Sequence, residues 1–211
     1  EEYILNPRWA YVSYEMTLSS AAYEYGTSKS YDIQAKYKSG DTLATDFTYA
    51  ISSEQARTLS DYGLSAVVRG GKVVLSGTPT KTGSLTLTIS VTDNNAIENK
   101  TSDKIVNIDI SKKTIKVTGV EKNSKTYDGT TNIAVGNIYF EGAAPNDQLA
   151  ITSTKQGGSF DSANAGARQI LLEGLKLGVT GSTNESALEN YILAGTDSVP
   201  GSIDRRYVNL K

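Results

Sequence analysis

From Ala10 to Leu18, apolar Ala10, Val12, Tyr14, Met16 and Leu18 alternate with Trp9, Tyr11, Ser13, Glu15 and Thr17. A period of two is the signature of a half-buried strand. Tyr31, Ile33, Ala35 and Tyr37 repeat the pattern against Ser30, Asp32, Gln34, Lys36 and Lys38. One face is dry and the other wet, as an antiparallel sheet with one solvated side requires. Phe47, Tyr49 and Ile51 predict a third strand, and Ser53–Asp61 is the most helix-like stretch, one or two turns at most. Gly70-Gly71 lies between Ala66-Val67-Val68 and Val73-Val74-Leu75, which predicts a hairpin. Leu85, Leu87, Ile89 and Val91 alternate with Thr86, Thr88, Ser90 and Thr92, the cleanest strand in the chain, and Val106, Ile108 and Ile110 predict the next. Beyond the polar junction Ser111-Lys112-Lys113, the style repeats at Ile115 and Val117, Ile133 and Val135, Ile138–Phe140, Leu149 and Ile151, Ile170–Leu172, Tyr191–Leu193 and Ile203. Turn signals fall between these runs at the spacing of a sandwich or barrel.

The chain has 211 residues and a mass of 22.6 kDa, room for two domains of about 100 residues. The predicted fold class is all-β: two tandem immunoglobulin-like β-sandwiches, residues 1–112 and 113–211, held end to end as a semi-rigid rod by a very short linker. Thr, Ser, Tyr and Gly dominate the composition, residues that suit pleated strands and turns. With 21 Lys+Arg against 23 Asp+Glu the net charge is -2, so there is no basic excess for a nucleic-acid partner. There is no His and no Cys. Disulfides, thiolate metal sites, a Ser-His-Asp triad and an ordinary catalytic zinc site are therefore excluded. No apolar run reaches the length of a membrane-spanning helix. The chain opens on Glu-Glu-Tyr, and a fragment or mature segment of a longer, targeted protein is expected.

One internal echo bears on organisation. Residues 110–117 read Ile-Ser-Lys-Lys-Thr-Ile-Lys-Val, and residues 203–210 read Ile-Asp-Arg-Arg-Tyr-Val-Asn-Leu. Both run from an aliphatic residue through a basic pair into a strand pattern. The expectation is a shared handover between modules, with residues 207–211 the start of a further one and the parent a string of such units.

Two stretches carry a family resemblance. Gly63-Leu64, Ser76-Gly77-Thr78-Pro79, Thr82-Gly83 and Thr92-Asp93 resemble the cadherin-like, immunoglobulin-type modules of bacterial surface proteins, although the Pro that usually precedes Gly-Leu is missing. Lys125-Thr126-Tyr127-Asp128-Gly129-Thr130-Thr131, then Phe160-Asp161 to Asn164-Ala165-Gly166, then Asn190-Tyr191-Ile192-Leu193, resemble the YDG domain, an immunoglobulin-like repeat of bacterial adhesins. The resemblance implies a non-catalytic extracellular module on a bacterial cell surface or secreted. Its partners would be neighbouring domains of the same polypeptide and an unidentified glycan or protein ligand.

The residues themselves point to turn chemistry more than to catalysis. Tyr127 can bury its ring and direct its hydroxyl to the backbone, Asp128 can cap amides as an Asx turn, and Gly129 can take a positive φ. Asn190, beside Tyr191, is expected to pin a loop. The alternative function is a carbohydrate-binding module, an accessory region of a glycan-degrading enzyme, with Trp9 and Tyr11 as stacking residues on one strand face. Against it, a lone Trp is more often a core residue. No cofactor is expected. Asp93-Asn94-Asn95 and Asn146-Asp147 are the oxygen-rich turns that could attract calcium, but neither has the spacing of a dense acidic ligand loop, and no metal ligand or catalytic residue is assigned.

Overall fold

The computed structural model describes residues 13–38, 40, 42–96, 100–153, 157–195 and 198–209. Trp9 and Tyr11, the candidate stacking residues, lie outside the described residues. The chain divides into two compact units, Glu1–Ser111 and Lys112–Lys211, and both are mostly β.

In the first unit the strands are β1 (Tyr14–Met16), β2 (Ser20–Glu24), β3 (Lys29–Ile33), β4 (Ala35–Tyr37) and β5 (Phe47–Ala50), then helix α1 (Ser53–Ser60), then β6 (Leu64–Arg69), β7 (Lys72–Gly77), β8 (Gly83–Asp93) and β9 (Thr101–Ser111). They form sheets of order β2-β9-β8-β5 and β3-β7-β6, with β1 paired to β4. Among the described residues of this unit only β2 and β9 run parallel, in register from Ser20↔Asn107 to Glu24↔Ser111. The period-two pattern is the reason these segments pair. Leu87, Ile89 and Val91 of β8 and Val106, Ile108 and Ile110 of β9 point inward. They meet Ile33, Leu64, Val73 and Leu75 from the three-stranded sheet in one buried cluster. Each such side chain contributes about 1.5–3 kcal/mol by leaving water. Helix α1 starts where Ser52 Oγ accepts a hydrogen bond from the Gln55 amide at 3.2 Å, satisfying a first-turn donor. It is two turns long and anchored by a single buried residue, Leu59.

In the second unit the strands are β10 (Lys113–Val120), β11 (Ser124–Thr126), β12 (Asn132–Ile133), β13 (Ile138–Glu141), β14 (Leu149–Ser153), β15 (Gly158–Phe160), β16 (Gly166–Leu172) and β17 (Leu175–Val179). A 3-10 turn (Glu185–Asn190), β18 (Tyr191–Leu193) and β19 (Ser198–Asp204) complete it. The sheets have order β13-β10-β18 and β11-β19-β16-β15-β12, with β14 paired to β17. The early strand β11 runs parallel to the last strand β19, Lys125 opposite Ile203, as β2 runs parallel to β9 in the first unit. Ile115, Val117, Phe160, Ile170, Tyr191, Val199 and Ile203 are buried. In the internal echo, Ile110 and Ile203 are both buried, whereas Ile115 is buried and its counterpart Val208 is exposed.

Candidate functional site

A dense polar constellation of the second unit is built on the turn that leaves β11. Lys125 is central in that three-residue strand, and pairing with β19 fixes its backbone opposite Ile203. The Tyr127 amide extends the pairing by donating to the Asp204 carbonyl at 2.8 Å. The Lys125 side chain, only 13% exposed, folds back over the turn. Its ammonium donates to Asp128 Oδ1 at 2.8 Å, Thr130 Oγ1 at 2.9 Å and the Asn132 carbonyl at 2.9 Å. An ammonium has three donors, and here all three are used. The Phe160 ring lies with its centroid 6.0 Å from the same nitrogen, at the outer limit of a cation–π contact.

Asp128 closes the loop from the other side. Its Oδ1 accepts from the Thr130 amide at 2.9 Å and from Thr130 Oγ1 at 2.9 Å, an Asx turn. Gly129 between them has φ +81. The Lys125 hydrogen bond, then those from Thr130, hold the Asp128 carboxyl down at about 2. A carboxylate that acidic is a poor proton acceptor at neutral pH. The lysine beside it is an ammonium engaged on every proton, with no lone pair for attack. The arrangement holds a loop in shape and offers no general base or nucleophile. Tyr127 departs from its sequence expectation: it is 41% exposed instead of buried, at the point where the chain leaves β11 and turns through Asp128-Gly129.

Asn190 and Tyr191 are both buried. The Tyr191 hydroxyl accepts from the Ala144 amide at 2.9 Å and donates to Asp147 Oδ2 at 2.5 Å, tying β18 to the loop that ends in Pro145-Asn146-Asp147. The Tyr191→Phe variant is expected to lose about 1–3 kcal/mol, because a buried amide and a carboxylate each lose a hydrogen bond. Urea unfolding checks this against Tyr139→Phe, an exposed site, where the change should stay within about 0.5 kcal/mol. Equal midpoints for the two variants would show that the hydroxyl holds nothing.

A comparable tie closes the first unit. Asp93 continues the inward row of Leu87, Ile89 and Val91 and is buried. Its Oδ1 accepts from the Tyr37 hydroxyl at 2.6 Å and from the Asn95 amide at 2.9 Å. Burial first, then the bond to Asp93, pushes the Tyr37 hydroxyl up to about 12. Asp46 Oδ1 accepts from the Asn95 side chain at 2.8 Å, and Asp46 Oδ2 from the Leu43 amide at 2.7 Å. Of the two turns that suggested calcium, Asp93 Oδ1 and Asn94 Oδ1 in the first and Asp147 Oδ2 in the second thus accept from donors of the chain itself. Among the described residues no three acidic side chains gather as a metal site would need.

The sequence reading gave turn roles to Asp128 and Gly129, set Thr130 at the re-entry to a strand and placed Asp147 in an oxygen-rich turn, but gave no site role to Lys125 or Tyr37. Lys125 opens the same motif, and the available signal was its period-two position, which places a lysine on the inward row of a strand.

Residues 111–198 match the YDG domain family. No curated protein sequence matches the chain. Among solved structures, an I-band fragment of titin is similar over 92% of this chain and 66% of its own, with 10% identity and a TM-score of 0.36. Domains 5–6 of the S-layer protein SbsC are similar over 92% of this chain and 98% of theirs, with 10% identity and a TM-score of 0.29. Drosophila N-cadherin is similar over 92% of this chain and 49% of its own, with 11% identity and a TM-score of 0.30. No helix among the described residues is long and apolar enough to cross a membrane.

Proposed function

We propose that this chain is a non-catalytic extracellular module of a bacterial surface protein, either its stalk or its adhesive region. In this reading both units are immunoglobulin-like sandwiches, the first of the cadherin-like type and the second a YDG domain. The carrying observation is the YDG match over residues 111–198, whose motif residues Asp128 and Gly129, with Lys125 and Thr130, hold one another and leave no reactive group. A chain without His or Cys supports the same reading, since the commonest general base and the thiol nucleophile are both missing. The test is an antibody raised against residues 113–206 and applied to intact cells of the source organism. Labelling of intact cells, abolished by brief external protease, is the expected result. Labelling only after lysis would remove the surface assignment. Retained adhesion after in-frame deletion of the two units would restrict the role to that of a spacer.

A further inference from the structure

We propose that the edge strand β6 is a pairing surface for a second copy of this chain, joined antiparallel through residues Leu64–Val68. The Gly70-Gly71 turn makes Arg69 and Lys72 the first pair of the β6–β7 hairpin, and in a two-residue hairpin that pair exchanges its hydrogen bonds. The backbone groups of Arg69, Val67 and Ser65 are therefore spent on β7, and those of Leu64, Ala66 and Val68 point away from it. The Ser65 hydroxyl, donating to the Ser76 carbonyl at 3.4 Å, lies on one of the spent rungs. Among the described residues no strand pairs with β6 on its far side.

Natural sheets guard such edges with inward charges, prolines, bulges or very short strands. Strand β6 has none of these between Leu64 and Val68, and its register runs unbroken from Leu64↔Gly77 to Arg69↔Lys72; helix α1 packs against it, but among the described residues no backbone hydrogen bond from outside the hairpin reaches Leu64, Ala66 or Val68. Val67 and Val68 remain 55% and 44% exposed. The opposite edge of the same sheet, β3, is guarded: Lys29 donates to the Ala22 carbonyl at 3.0 Å, and Asp32 is ion-paired with Lys72.

The charge pattern selects the occupant. The strand has exposed Arg69 at one end and exposed Asp61 just before the other. Antiparallel self-pairing with Ala66 opposite Ala66 sets Leu64 against Val68. It brings Arg69 of each copy to Gly63 of the other, two residues from Asp61. Parallel self-pairing would set Arg69 beside Arg69, a like-charge pair that opposes association. One two-fold operator satisfies both ends at once, as an isologous contact does. A single added strand buries less than a standard interface, so the pairing is reversible and depends on concentration.

The experiment is sedimentation velocity on the whole chain from micromolar to near-millimolar concentration, with amide exchange read at Ala66 and Val68. The expected result is a mass rising toward twice 22.6 kDa and protection at these two amides that grows with concentration. Val67→Lys should abolish both at an unchanged unfolding temperature, and Ser30→Lys on β3 should leave both intact. A monomer at every concentration overturns the proposal. So does a dimer that survives Val67→Lys, which would lie on another face. Protection of Ala66 and Val68 already complete in the dilute monomer also overturns it, because the chain would then cover its own edge.

Discussion

Replacing Lys125 with Met is expected to destabilise the second unit by about 2 kcal/mol, in the range of one hydrogen bond to a charged group. The sum of three such bonds would overstate the loss. Asp128 is 52% exposed, so water takes the place of the ammonium at its carboxylate, and partly exposed ion pairs contribute little on their own. The Asn132 carbonyl and Thr130 Oγ1 lose a donor, and the turn between β11 and β12 loses the side chain that joins these two points to Asp128. Lys125→Met keeps an unbranched apolar side chain and removes the charged head, so urea unfolding isolates the polar part. An unchanged midpoint would mean that the clasp is an ornament of the turn and does not stabilise it. A Lys125→Met, Asp128→Asn double variant should lose less than the two single losses combined, as residues in one network do.

The same clasp sets an acid dependence. Asp128 titrates at about 2 in the folded chain against 3.8 for an ordinary aspartate. A carboxyl whose folded value is depressed contributes stability that is present above 3.8 and disappears as the pH falls toward 2. The stability gap between the native chain and Asp128→Asn should therefore be widest near neutral pH and close across that acid window. Thermal melts of the two proteins at a series of pH values read the gap directly. A gap that stays constant through the window would show that Asp128 does not titrate against the clasp.

How much of this was legible in the sequence depended on range. Strand faces were legible, because alternation is local: Leu87, Ile89 and Val91 point inward as their spacing requires. Helix α1 was legible as the helix-like stretch Ser53–Asp61, kept to one or two turns by thin apolar support, and it spans Ser53–Ser60. The Asx turn at Asp128 was legible because an aspartate two residues before the amide it caps needs no tertiary partner. Lys125 was not assigned a role, because a lysine on an inward row reads as an exception until the acceptors that surround it are known. The fate of Asp93 was hidden in the same way. Its sequence neighbours Asn94 and Asn95 made it look like part of a turn, whereas β8 carries it one step further into the core, to the Tyr37 hydroxyl 56 residues away. The aromatic face at Trp9 and Tyr11 falls outside the described residues, so its role rests on the sequence pattern alone.

Glycines show the same division between local and distant causes, and one of them gives the other large effect. Gly142→Ala is expected to cost about 3 kcal/mol or more, and Gly129→Ala about 1 kcal/mol, although only Gly129 belongs to a recognisable motif. Both have positive φ, +99 and +81, so both variants incur the left-handed penalty of about 1–2 kcal/mol that Cβ brings. They differ in what the methyl group meets. At Gly129 there is nothing within 4 Å. At Gly142 a Cβ would stand 2.1 Å from the Thr114 carbonyl oxygen and 3.2 Å from its carbon. That carbonyl cannot withdraw easily. It belongs to β10, which lies between β13 and β18 and is fixed by Ile115, fully buried. Overpacking against backbone adds about 1–3 kcal/mol to the conformational term. Urea midpoints for the two variants check the order, and a Gly129→Ala loss as large as that of Gly142→Ala would contradict it. The reason for the order is the distance in sequence between Thr114 and Gly142. A turn motif advertises what its own residues need, but the close approach of β10 to the end of β13 exists only once the strands have paired.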